Sequence, residues 1–139
     1  LNEPGVQPDR RAERRDARRA TNRTEILDAA ERVFGERGPR DGSLREIAAL
    51  SGFSTAAIYL FFENKQDLLS EMLNRRGSEL VGAMQQVVAA GLAPLDALHR
   101  IADEAISFFD GRPDFRRLLR HITGGAIITE QVLAELTGH

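Results

Sequence analysis

Arginine, serine, threonine and tyrosine are the side chains here with the chemistry to grip a ligand, and they are crowded toward one end of the chain. Between Arg10 and Arg23 stand seven arginines against two acids, Glu13 and Asp16, a local balance of +5 in a chain of net charge −2. A guanidinium is always charged and offers a planar fork of donors that matches an oxyanion, so such a cluster suits a polyanion partner. At ~100° per residue, Arg10, Arg11, Arg14, Arg15, Arg18 and Arg19 cover one half of a helix, while Ala12, Glu13, Asp16, Ala17 and Ala20 fill the other. Cations on one face repel, so the segment is expected to fray alone and to order against phosphates. With the Pro- and Gly-containing residues 1–9 before it, read as a disordered tail, residues 1–21 form a flexible Arg-rich arm.

A second constellation lies in the stretch SGFSTAAIYLFFENK, residues 51–65, which holds the single tyrosine, Tyr59, and the single lysine, Lys65. Ser54, Thr55, Ala56 and Ala57 are small, and small residues in a row permit close approach. Around them the elements that must position this surface are helices. Asn22 and Glu25 resemble a capping box ahead of the stripe Ile26, Ala30, Val33 and Phe34, with Gly38-Pro39 as a stop, which predicts a first helix over about 22–37. Ser43 and Glu46 form a Ser-x-x-Glu box opening a second, two-turn helix that ends at Gly52. Ser54 caps a third short helix that turns Ala57, Ile58 and Phe61 inward and Thr55, Ala56 and Tyr59 outward.

Asn64 caps a long fourth helix reaching toward Gly91. Pro94 and Pro113 open a fifth and a sixth, and a seventh runs from about Ile127. No segment sustains a period of two, so the fold class is all-α: a three-helix helix-turn-helix domain joined through the long fourth helix to a helical bundle. Two short helices joined across Gly52 make a helix-turn-helix, and a two-turn helix showing Thr, Ala and Tyr is a poor packing element but a suitable probe of the DNA major groove.

Other chemistries find little support. There is no Cys, hence no disulfide, thiolate nucleophile or Cys-type zinc site, and the three His are scattered. Asp103 and Glu104 are adjacent on a helix and face different ways, and Gly124-Gly125 reads as a helix stop, so no catalytic set, cofactor site or metal site is expected. No apolar run approaches a membrane span and no signal-peptide core opens the chain, which predicts a cytoplasmic protein with no membrane partner.

In the segments ILDAAERVFGERG, SLREIAALSGFS and AIYLFFENKQDLL, the chain resembles the TetR family of bacterial transcriptional regulators over about residues 22–70. The order and spacing of helix one, the Ser-opened helix two, the Gly turn and the Tyr-x-x-Phe-x-x-Lys exit carry the resemblance. It implies that Ser43, Tyr59 and Lys65 contact phosphate, that Arg45 reaches a guanine edge or a phosphate, and that Ser54, Thr55 and Ala56 head the recognition helix. The chain departs from the pattern at Ala56, where Gly is frequent, and at Leu60 and Phe61, where a polar ring is usual; the Arg arm, with Arg18 and Arg19, is the expected compensation.

The resemblance further implies domains 22–66 for DNA binding and 67–139 for regulation and dimerisation, the latter incomplete because the terminal pairing helices of the pattern are not reached. Met84, Val88, Phe108 and Phe109 are its expected effector-pocket residues. The implied partners are an inverted-repeat DNA operator, a small apolar effector and a second copy of the chain, and the implied function is that of an effector-released repressor. A helical DNA-bridging or interaction module without an effector is the alternative.

Overall fold

Asp9 starts the first helix: its side chain accepts a hydrogen bond from the Arg11 N–H at 3.0 Å, and Glu13 adds a second anion at the positive end of the helix. The computed structural model describes residues 9–124, in which α1 spans Arg10–Asp41. This corrects the expected start near residue 22. Asn22 lies inside the helix and caps nothing, because alanine and arginine are strong helix formers and Asp9 already supplies the cap. Residues 10–21 of the arm are therefore the first part of α1. The expected stop does occur, since Gly38 leaves helical geometry (φ 83°, ψ 164°) and kinks the chain ahead of Pro39.

The remaining helices follow the predicted boundaries closely: α2 at Leu44–Ser51, α3 at Thr55–Tyr59, α4 at Lys65–Ala89, α5 at Pro94–Asp110 and α6 at Pro113–Thr123. Gly52 ends α2 in the left-handed region at φ 78°, as a tight turn requires. The predicted seventh helix lies outside the described residues. Among those described there is no strand, and no helix is long and apolar enough to cross a membrane.

One core joins the six described helices. Ile26, Ala30 and Phe34 of α1 meet Ile47 of α2, Ile58 of α3, and Leu68 and Met72 of α4, all fully buried. Phe108, Phe115 and Leu118 extend that core into α5 and α6. The α6 backbone presses so closely on α1 that a β-carbon at Gly35 would lie 2.6 Å from the Asp114 carbonyl oxygen. An ordinary helical Gly→Ala change stabilises by up to ~1 kcal/mol, but overpacking against rigid backbone costs about 1–3 kcal/mol. Gly35→Ala is accordingly expected to lower the urea midpoint without altering the slope of the transition. A raised midpoint would mean that α6 yields easily.

Ion pairs tie the helices further. Glu31 of α1 is buried and accepts from Arg76 Nε at 2.7 Å and from Arg75 Nη2 at 3.4 Å, while Arg75 also reaches Asp28 at 2.8 Å. Glu79, held by Arg76 at 3.0 Å, faces Arg112 at 3.1 Å. Arg112 lies over the Phe108 ring, 4.1 Å from its centroid. A chain of charges thus runs from α1 through α4 to the start of α6.

Candidate nucleic-acid interface

The exposed side of α3 is formed by Thr55, Ala56 and Tyr59, with Tyr59 54% exposed, and its inner side by Ile58, fully buried. That division follows from helical spacing and agrees with the sequence. Ser54 is the cap of α3, accepting from the Ala57 N–H at 3.0 Å. Ser43 caps α2 by a complete box, accepting from the Glu46 N–H at 3.1 Å while the Ser43 N–H donates to Glu46 Oε2 at 3.3 Å. Both serines are committed locally, although each hydroxyl retains its own proton to donate. Arg45 is exposed and makes no hydrogen bond or ion pair with the described residues.

Lys65 is placed differently from what its type suggests. Its ammonium donates to the Arg40 carbonyl at 3.0 Å and to the Gly42 carbonyl at 3.1 Å, so it pins the start of α4 to the segment that leads into α2. Two of its three protons are used within the fold, leaving one to face outward. A helix disfavours a cation in its first turn, and these two carbonyls, together with Asp67 near the same end, offset the penalty. Glu63, exposed, and Asp67, whose carboxylate accepts from the Glu63 N–H at 2.9 Å, add negative charge beside it.

The arginine-rich start of α1 passes the C-terminal end of α3. Arg19 Nη2 donates to the Leu60 carbonyl at 3.3 Å, and its guanidinium lies 5.2 Å from the centroid of Phe61. Arg10, Arg11, Arg14, Arg15 and Arg18 are exposed beyond that point. From Arg10 to Arg19 the helix extends about 14 Å, so these cations project past the C-terminal end of α3 on a continuous helix. Leu60 is 73% exposed and Phe61 half-buried. Arg19 thus supplies a cation where the Leu60 and Phe61 side chains are apolar.

One residue of this region escaped the sequence reading. Arg23 grips Glu71 of α4 through Nε at 2.6 Å and through Nη2, donates from Nη1 to the Phe61 carbonyl at 3.2 Å, and lies over Phe62, 4.7 Å from the ring centroid. The hydrogen bond to Glu71 raises its pKa above the ordinary arginine value despite partial burial. The signal available in the sequence was position: Arg23 precedes Ile26 and Ala30 on the buried stripe of α1, an uneconomical place for a cation without a partner.

The expected effector residues fall into two groups. Met84 and Val88 lie with Leu80, Val81, Gln85 and Ala89 on one open apolar face of α4. Phe108 and Phe109 instead belong to an aromatic cluster with Phe115, in which Phe108 meets both neighbours edge-on at 5.3 and 6.1 Å. Among the described residues no group of His, Asp or Glu is arranged to hold a metal ion.

The chain is similar to known proteins. Residues 26–72 match the family model described as bacterial regulatory proteins, tetR family. The HTH-type transcriptional repressor KstR2 of Rhodococcus jostii is 38% identical over 87 residues, covering 60% of this chain and 43% of that protein. The HTH-type transcriptional repressor BepR of Brucella suis is 44% identical over 62 residues, 45% of this chain and 30% of that one. In three dimensions, a TetR-like transcriptional regulator from Rhodococcus sp. RHA1 superposes with a TM-score of 0.68 at 29% identity, over 72% of this chain and 55% of that one. The matched part therefore spans less than half of either curated relative.

Proposed function

Because residues 26–72 carry the helix-turn-helix module of the tetR family, we propose that this protein is a sequence-specific DNA-binding transcriptional repressor. The observation that carries the proposal is the exposed face of α3, where Thr55, Ala56 and Tyr59 stand clear of the core with the arginines of α1 beyond its C-terminal end. In a major groove the leading turn of α3 would bring Thr55 to base edges while Ala56 lets the backbone approach. Tyr59, Ser43, Arg45 and the free proton of Lys65 would bond phosphates, and Arg18 and Arg19 would extend that grip along the backbone.

One helix-turn-helix reads few base pairs, so binding as a two-fold dimer to an inverted repeat is part of the proposal. Val81, Val88, Leu95, Leu98 and Ile106 leave apolar surface on α4 and α5 that a second copy or further helices of the chain would cover. Effector release would work through α4, which begins at Lys65 beside α2 and carries Met84 and Val88 on its open apolar face. A small apolar ligand against that face, reaching Phe108 and Phe109 if α4 shifts against α5, would lower DNA affinity only by favouring the DNA-incompetent spacing, typically with 1–3 kcal/mol of coupling.

Selection from a random duplex library gives the direct test: a recovered inverted repeat is expected, and recovery of no common sequence would favour a non-specific bridging module. On the selected site, Thr55→Ala should relax preference at one or two base pairs at a cost of about 1–3 kcal/mol each. Tyr59→Phe should weaken all sites alike. The reverse pattern would exchange the two roles.

A further inference from the structure

We infer that Arg23 is a positioning residue that sets the angle of the recognition helix, and that it contributes to sequence discrimination without touching DNA. This rests on the DNA-binding reading above. Helix α3 has five residues, too few to hold its own direction by backbone hydrogen bonding. Its N-terminal end is fixed by the Ser54 cap and its middle by buried Ile58. The C-terminal end is anchored by buried Phe62, and its direction is set further by what holds the carbonyls of Leu60 and Phe61.

Arg19 holds the first of these from an exposed position at 3.3 Å. Arg23 holds the second at 3.2 Å from a part-buried one, with its own orientation fixed on three sides. Its Nε/Nη2 edge is forked on the Glu71 carboxylate, its Nη1 is on Phe61, and one face rests on the ring of Phe62, a core residue 2% exposed. A forked guanidinium–carboxylate pair is strongly directional, so α3 is registered against α1 and α4 together. The same contacts occupy the edge with which Arg23 would have forked a phosphate. Glu71 becomes a positioning residue by the same geometry, and any tilt of α4 is passed directly to the end of α3.

Electrostatics alone predicts the opposite sign for one variant, which makes the inference testable. Removing the negative charge of Glu71 should strengthen DNA binding if charge is all that matters, and weaken specific binding if position matters. The experiment uses the whole chain, the duplex recovered by random-library selection with the wild-type protein, and a scrambled duplex of equal length, with affinity measured across a salt series. For Arg23→Gln and for Glu71→Gln the expected result is a roughly tenfold to hundredfold loss on the selected duplex, the scale of a lost charge-assisted hydrogen bond. Affinity for the scrambled duplex should change less than about twofold and the salt slope should stay constant, because no phosphate contact is lost. The double variant should be no worse than either single one, as expected of a coupled pair. Arg23→Lys, which keeps the charge and loses the fork, should fall between.

A lowered salt slope for Arg23→Gln together with unchanged or tighter binding for Glu71→Gln would make Arg23 a phosphate contact and overturn the inference. Equal losses on both duplexes would reduce the pair to a fold-stabilising one and overturn it as well. Failure of the wild-type protein to select any sequence would remove the sequence-specific reading on which this inference rests, an outcome visible before any variant is made.

Discussion

Replacing Arg10, Arg11, Arg14, Arg15 and Arg18 together by Gln is expected to cut affinity for duplex DNA by at least ~100-fold near 0.1 M salt and to lower the salt slope by roughly 3. The estimate assumes that a rigid helix lying along a phosphate backbone brings about three of these side chains into contact, each releasing ~0.9 counterion. Glutamine is a good helix former and the substitution removes like-charge repulsion, so the helix itself should persist. Arg19 and Arg23 are left in place, so the contacts to the Leu60 and Phe61 carbonyls survive. Because phosphate contacts carry no base information, the recovered sequence preference should be preserved while every affinity falls. Arg100→Gln provides the control, since Arg100 lies beside Val87 and Ala90 at the far end of α4, about 35 Å along that helix from Lys65. An unchanged slope in the multiple variant would remove the start of α1 from the interface.

The largest stability effect is expected at Glu31. Its side chain is 7% exposed, and it faces Arg76 and Arg75, whose side chains are 18% and 21% exposed. Burial works against the Arg76 charge, yet its hydrogen bonds and attraction to Glu31 and Glu79 outweigh that effect and raise its pKa above the ordinary value. Glu31→Ala would leave two poorly hydrated guanidinium groups without their shared acceptor, at a cost of roughly 3 kcal/mol, the lower end of the range for breaking a buried pair. Asp28→Ala removes a carboxylate that is 58% exposed from the same network, and solvent screening should hold that loss below ~1 kcal/mol. Urea denaturation of the two variants measures both. Equal small losses would show that water reaches the network and that α1 and α4 are held by apolar packing alone.

Much of this architecture could be read along the chain because its signals are local. The Ser43–Glu46 box, the Ser54 and Asn64 caps, Gly52 and the two helix-opening prolines each act within a few residues, and each lies where the spacing predicts. The first helix shows how a local signal can mislead. Asn22 with Glu25 has the form of a cap, but Asp9 supplies the actual one and a run of good helix formers carries the helix through. Composition alone also predicted mutual repulsion among the arginines. It had no means of placing Arg19 on the Leu60 carbonyl or Arg23 on Glu71, across sequence separations of 41 and 48 residues.

Taken alone, then, the sequence determined the helical class, the short helix-turn-helix and the outward face of Thr55, Ala56 and Tyr59, because periodicity and caps are properties of neighbouring residues. Tertiary structure alone decided which cations remain free for a partner. Lys65 is drawn onto the Arg40 and Gly42 carbonyls and Arg23 onto Glu71 and Phe61, whereas Arg45 and the first arginines of α1 stay exposed. The physical reason is that a buried or half-buried donor must find an acceptor, and the acceptors lie on elements that only folding brings near.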